Sequence, residues 1–125
     1  MTRPRLAVVG VGHLGRHHAR LLRELDCDLV AVVDRDEQAR AAAAAYGVPV
    51  LADYRELQGK VDAVSVVVPT RLHREVAGFF LEHGVDVLVE KPIARSSQEG
   101  RELVELAGRH GRVLQVGHVE RFNAV

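Results

Sequence analysis

The sequence predicts an α/β protein built on a doubly wound parallel sheet of six strands in the order 3-2-1-4-5-6. Three observations predict this fold. Apolar runs of strand length alternate with helical patterns along the chain. A glycine-rich turn follows the first run, and segments with charged residues, proline or glycine follow several of the other apolar runs. Right-handed crossovers between parallel strands give the strand order. The chain has 125 residues, of which 47% are hydrophobic, and this is enough to form the core of a single domain, residues 1–125.

The elements follow one another without an internal linker or repeat. Six apolar runs predict the strands: residues 6–9, 29–33, 48–51, 63–68, 85–89 and 113–116. Helical patterns separate them: residues 14–25, 37–46, 53–57 (capped by Asp53), 71–83 and about 97–109 (capped by Ser96 or Ser97). The fourth run is rich in valine with little alternation, which is typical of a central parallel strand buried on both faces.

Three glycines follow the first strand with the spacing G-x-G-x-x-G. In a dinucleotide-binding turn, Gly10 permits the sharp bend, Gly12 lets a pyrophosphate approach the backbone, and Gly15 lets the helix pack on the strand. The helix N-terminus then offers unpaired N–H groups to the phosphates. The second strand ends at Asp34, nineteen residues after Gly15, where a Rossmann unit places the carboxylate that binds the adenosine ribose. The sequence therefore predicts a dinucleotide site rather than an empty α/β turn.

Composition restricts the partners. Lys plus Arg and Asp plus Glu number 17 each, which argues against nucleic acid or a membrane surface as a partner. No apolar segment approaches the length of a membrane span. Cys27 is the only cysteine of the sequence, so the chain cannot form an internal disulfide. A chain that enters a strand at once leaves no room for a signal peptide, so we expect a cytoplasmic protein.

The unusual segments all follow predicted strands, and parallel strands end at one edge of the sheet. They are residues 10–15, Asp34, 69–73, 90–92 and 117–123. Together they resemble the Gfo/Idh/MocA family of nicotinamide-dependent oxidoreductases. The resemblance covers the whole chain, and Glu90-Lys91-Pro92 is its most specific piece. The last segment is similar to members that act on UDP-sugars, such as UDP-N-acetylglucosamine.

The resemblance implies a Rossmann cofactor domain from a longer enzyme. Family enzymes carry a second α/β domain that covers the nicotinamide and supplies a catalytic His, and this chain stops where that domain would begin. We therefore expect an NAD(P)-dependent oxidoreductase acting on a hydroxyl of a sugar or sugar nucleotide. Alone, the chain is expected to bind cofactor without turnover and to self-associate as a homo-oligomer. The alternative is a stand-alone NAD(H)-sensing module without catalysis.

The resemblance also implies roles for individual residues. Lys91 is the predicted catalytic residue, because an ammonium near the reacting hydroxyl favours its loss of a proton. Substrate contacts are expected from His118, Arg121 and Asn123, for which packing against the missing domain is the alternative. Together, motif and resemblance predict the residues that bind the cofactor: Gly10, Gly12, His13, Leu14, Gly15, Asp34, Arg35, Pro69, Thr70, His73, Glu90, Lys91 and Pro92.

Some assignments remain open in the sequence. Thr70 and His73 are assigned to the cofactor, but Thr70 could instead cap a helix and His73 line its first turn. The Lys91–Pro92 bond is a candidate for the cis form. His13 and His17 lie four residues apart, yet zinc needs further ligands, so we predict no metal site. Asp34 favours NAD over NADP, although Arg35 could neutralise a 2′-phosphate.

Overall fold

Six parallel strands form one sheet in the part of the chain that the computed structural model describes, residues 4–10, 12 and 27–117. The order β3-β2-β1-β4-β5-β6 confirms the predicted fold class. The strands are β1 (Arg5–Val9), β2 (Asp28–Val33), β3 (Val50–Leu51), β4 (Ala63–Val66), β5 (Asp86–Glu90) and β6 (Leu114–Gly117). Because all six run in the same direction, their carboxyl ends lie at one edge, where ligands of such sheets bind.

Three α-helices lie within the described residues, and local signals define their ends. They are α1 (Glu37–Ala43), α2 (His73–Glu82) and α3 (Ser97–His110). The Asp36 side chain caps α1 by accepting the Ala39 N–H, and Ser96 caps α3 by accepting the Glu99 N–H at 3.2 Å. Gly111 ends α3 with a left-handed conformation, φ 63°. Among these residues no helix combines the length and the apolar character needed to cross a membrane.

The core lies on both faces of the sheet, because alternate residues of a strand point to opposite faces. Val8 and Val32 pack in one cluster with Ala43 of α1. Their neighbours in β1 and β2, such as Val9, belong to a second cluster that includes Phe80 of α2 and also residues of α3. The central strands are therefore covered on both sides, as their valine-rich sequences predict.

The structure shifts several predicted boundaries. β4 ends at Val66 rather than at residue 68, and β3 has only two residues. Residues 44–46 and 54–57 are 3₁₀ turns, and Asp53 accepts the Arg55 N–H at 2.9 Å as the predicted cap. The predicted helix 71–83 is a 3₁₀ turn, Thr70–Leu72, followed by α2. Thr70 is not a side-chain cap of this helix, since α2 follows Leu72 without a capping side chain.

Candidate functional site

A cavity of about 670 Å³ lies at the carboxyl ends of β1, β2 and β4. This volume is within the usual range for small-molecule sites. Five residues predicted to bind a cofactor line the cavity: Gly10, Gly12, Asp34, Arg35 and Pro69. The turns after three separate strands therefore converge on one concave space, as the sequence motifs predict.

Gly10 makes the turn that opens this cavity. Its φ of +98° lies in the region that favours glycine, and its N–H donates to Val33 O at 2.6 Å. A Cβ at this position would lie 2.7 Å from Val67 O, closer than real Cβ contacts come. Gly12 differs, because a Cβ there would meet no atom of the described residues within 4 Å. The neighbouring backbone therefore leaves no room for a side chain at position 10, whereas the described residues around Gly12 leave room for a Cβ.

The turn after β2 places Asp34 and Arg35 at the wall of the cavity. The Asp34 N–H donates to Leu51 O at 3.0 Å, and Asp34 Oδ1 accepts the Asp36 N–H at 2.9 Å. Arg40 Nη1 donates to the carbonyl oxygens of both Asp34 and Arg35, each at 2.9 Å. These hydrogen bonds fix the main chain of the turn, so that the Asp34 carboxylate is presented by a well-defined backbone.

Tyr54, Arg71 and Glu75 also line the cavity, although no sequence motif assigns them a role. The Tyr54 hydroxyl donates to Glu75 Oε2 at 3.2 Å. Burial, and then the charge and hydrogen bond of Glu75, raise the pKa of Tyr54. Their positions in the sequence could have indicated this, because Tyr54 follows β3 and the other two follow β4, at the edge of the sheet where ligands bind.

Lys91 lies beyond the end of β5 and is exposed. Its main-chain N–H donates to Gly117 O at 3.1 Å, which continues the pairing of β5 with β6. The Lys91–Pro92 bond is cis, as the sequence suggested it could be. Glu90 is buried, with 9% of its surface exposed. This segment follows the neighbouring strand and is not among the described residues that line the cavity.

His73 is the first residue of α2 and is almost completely buried, with 2% exposed. Nε2 lies 2.9 Å from Val68 O. Nδ1 lies 3.0 Å from Pro92 O and 3.2 Å from Ile93 O. Both ring nitrogens therefore face main-chain carbonyl groups, and direct contact of His73 with a cofactor stays a prediction.

Several predicted site residues lie outside the described part of the chain: His13, Leu14, Gly15, His118, Arg121 and Asn123. The histidines considered for a metal, among them His17, lie there too. Within residues 4–10, 12 and 27–117, no three His, Cys, Asp or Glu side chains form a group that could hold a metal ion.

The strand order, the glycine turn and the acid at the end of β2 define a dinucleotide-binding Rossmann domain. The chain belongs to the Gfo/Idh/MocA oxidoreductase family, whose model, described as an NAD-binding Rossmann fold, matches residues 4–118. The family membership implied by the sequence is therefore confirmed, and NAD is the cofactor that the family fold binds.

Similar proteins include one dehydrogenase named for a sugar nucleotide and two solved structures that contain NAD or NADH. The UDP-N-acetylglucosamine 3-dehydrogenase of Acidithiobacillus ferrooxidans is 37% identical over 124 residues, which cover 98% of this chain and 39% of that protein. The structure of GenD2 from gentamicin A biosynthesis, in complex with NAD, has a TM-score of 0.88 at 36% identity and covers 94% of this chain. The WlbA dehydrogenase from Chromobacterium violaceum, in complex with NADH and UDP-GlcNAcA, has a TM-score of 0.87 at 29% identity over 94% of this chain.

The chain spans only part of each of these proteins. It covers 35% of the GenD2 chain and 35% of the WlbA chain. The comparisons therefore concern the cofactor domain, and the activity of a whole protein is taken up as a proposal below.

Proposed function

We propose that this chain is the cofactor domain of an enzyme that oxidises a hydroxyl group of a sugar or sugar nucleotide. The cavity at the carboxyl ends of β1, β2 and β4 carries the proposal, because it brings the glycine turn and Asp34 to one space at the edge where such sheets bind dinucleotides. UDP-N-acetylglucosamine is the first substrate to test, since a similar protein acts on it. When bound, NAD⁺ supplies the hydride acceptor for this chemistry.

Within this proposal, Gly10 makes the turn, Gly12 lets the pyrophosphate approach the backbone, and Asp34 accepts hydrogen bonds from the adenosine ribose. Arg35 and Pro69 line the same space. The predicted contacts of His13, Leu14, Gly15, Thr70, Glu90 and Pro92 belong to the proposal as well. So do the substrate contacts of His118, Arg121 and Asn123.

Lys91 is the proposed catalytic residue. Its exposed side chain follows β5, the strand next to β4, at the same edge of the sheet as the cavity. An ammonium that holds the substrate hydroxyl lowers the cost of removing its proton, and a positioned acid or base of this kind contributes about 10²–10⁴-fold. We propose that this chain is one domain of a longer protein, which is called the full-length protein below. The remaining walls of a sugar pocket are assigned to the rest of that full-length protein.

The test separates binding from turnover. Calorimetry with NADH should show binding by the 125-residue chain, whereas formation of NADH at 340 nm from NAD⁺ and UDP-N-acetylglucosamine should require the full-length protein. There, Lys91→Ala should lower kcat about 10²–10⁴-fold with little change in NAD⁺ affinity. Lys60→Ala is the matched control, because Lys60 is the other lysine of the sequence and precedes β4 at the opposite edge of the sheet. Turnover by the isolated chain, or normal turnover by the Lys91 variant, would contradict the proposal.

Asp34 should also set the choice between NAD and NADP. Its carboxylate repels the 2′-phosphate of NADP, while its hydrogen bonds to the ribose are worth about 1.5–3 kcal/mol. Calorimetry should therefore show tighter binding of NADH than of NADPH, and Asp34→Ser should narrow the difference. Arg35 provides the opposing interaction, so tighter NADPH binding by the unmodified chain would assign the dominant role to Arg35.

A further inference from the structure

The ring of His73 connects two turns that follow different strands. On one side, Nε2 is 2.9 Å from the carbonyl oxygen of Val68, which follows β4 and lines the cavity. On the other side, Nδ1 is 3.0 Å from the carbonyl oxygen of Pro92 and 3.2 Å from that of Ile93, beyond β5. A single buried side chain thus bridges the cavity wall and the segment that carries Lys91.

The bridge depends on donated hydrogen bonds. Carbonyl oxygens only accept, so each ring nitrogen contributes a bond when it carries a proton. A neutral ring has one N–H and donates to only one of the two turns, so donation to both turns at once requires a proton on each ring nitrogen. Because His73 is 2% exposed, water does not readily replace a bond that is lost there.

Lys91 is held from two directions by these contacts. Its own N–H donates to Gly117 O at 3.1 Å, which fixes the start of the turn to β6. The next residue, Pro92, meets the ring of His73. We propose that His73 is a positioning residue, which ties the turn of Lys91 to the cavity wall and so fixes where the ammonium can reach. This inference rests on the proposed role of Lys91.

Two other roles for His73 lead to different expectations. Direct binding of the cofactor would require the ring to give up contacts that it makes to the main chain on both sides. Filling of the core would be preserved by a side chain of similar bulk without donors. His73→Phe therefore keeps the bulk and removes the bridge, and His73→Ala leaves a space that free imidazole can occupy.

The first experiment needs no ligand. Amide hydrogen exchange of this chain should be at least tenfold faster at Lys91, Ile93 and Ala94, the amides of residues 91–94, in His73→Phe and His73→Ala, with α3 unchanged. Added imidazole should slow the exchange of the alanine variant again. His110→Ala is the control, because His110 is an exposed histidine in the last turn of α3. Unchanged exchange in residues 91–94, or equal acceleration throughout the chain, would overturn the proposal.

The second experiment measures the consequence for Lys91 in the full-length protein. His73→Phe should lower kcat at least tenfold while KM for NAD⁺ changes less than threefold, and imidazole should partly restore kcat of His73→Ala. Normal kcat in His73→Phe would overturn the positioning role. If Lys91→Ala itself retains turnover, the proposed function of Lys91 fails and the positioning role fails with it. The hydrogen-exchange data would then show whether His73 ties the two turns together without positioning a catalytic lysine.

Discussion

Replacing Gly10 by alanine should destabilise this chain even without a ligand. The substitution requires a non-glycine residue at φ +98°, and left-handed backbone costs such residues roughly 1–2 kcal/mol. The new Cβ would also lie 2.7 Å from Val67 O, and forcing extra atoms into a packed site typically costs about 1–3 kcal/mol. Together the two effects give about 2–5 kcal/mol, a large part of the roughly 5–15 kcal/mol by which domains are stable.

Urea denaturation measures this loss, and Gly12→Ala is its matched control. With a slope of about 2 kcal/mol per M, the midpoint of Gly10→Ala should fall by roughly 1–2.5 M. A Cβ on Gly12 meets no atom of the described residues within 4 Å, so its stability should change by less than about 0.5 kcal/mol. The same control should lose about tenfold or more in NADH affinity, because its Cβ would occupy space next to the pyrophosphate. A Gly10→Ala midpoint within about 0.5 M of the unmodified chain would refute the steric argument.

Three further predictions concern stability and association. A Cβ on Gly78 would displace the Arg74 guanidinium, the flexible end of a side chain that pairs with Glu102, so Gly78→Ala should gain less than the about 1 kcal/mol typical of this exchange in a helix. The gain in urea denaturation should be larger when Arg74 is also replaced by alanine, and an equal gain in both backgrounds would contradict this. The hydrogen bond from the Arg5 side chain, and then that from its N–H, lower the pKa of Asp62. The resulting stabilisation is present above the unfolded-state pKa of about 3.9 and disappears as pH falls through the lower folded-state pKa. Asp62→Ala should thus lower the urea midpoint at neutral pH but not in strong acid, and a pH-independent difference would count against the pair. Finally, the chain should self-associate in concentrated solution, with Val116→Lys on the edge strand β6 reducing association in sedimentation velocity; a monomer at all concentrations would exclude it.

Local sequence signals predicted most of the fold. Asp53 and Ser96 act as caps because capping depends on residues two or three positions away. The valine-rich run of β4 predicted a central strand, since burial on both faces leaves no polar alternation. The strand order followed from the handedness of crossovers, which is a general property of L-amino acids.

The sequence did not predict features that depend on contacts between distant segments. The ring of His73 meets Pro92 and Ile93, and no local pattern encodes a pairing across nineteen or twenty positions. The pairing of Tyr54 with Glu75 likewise forms only when the turns after β3 and β4 meet. The tight turn Thr70–Leu72 was merged with α2 because 3₁₀ and α-helical patterns overlap over so few residues.

The composition of the larger core cluster affects how the chain emerges from the ribosome. Val9 and Val33 belong to the first two strands, but they pack in one cluster with Phe80 and Leu103, which are synthesised much later. The first half therefore leaves the exit tunnel with one sheet face still lacking these partners, and such exposed surface is prone to aggregate or to bind chaperones. Nascent chains stalled before α2 should bind a ribosome-associated chaperone, and release should coincide with synthesis of α2 and α3.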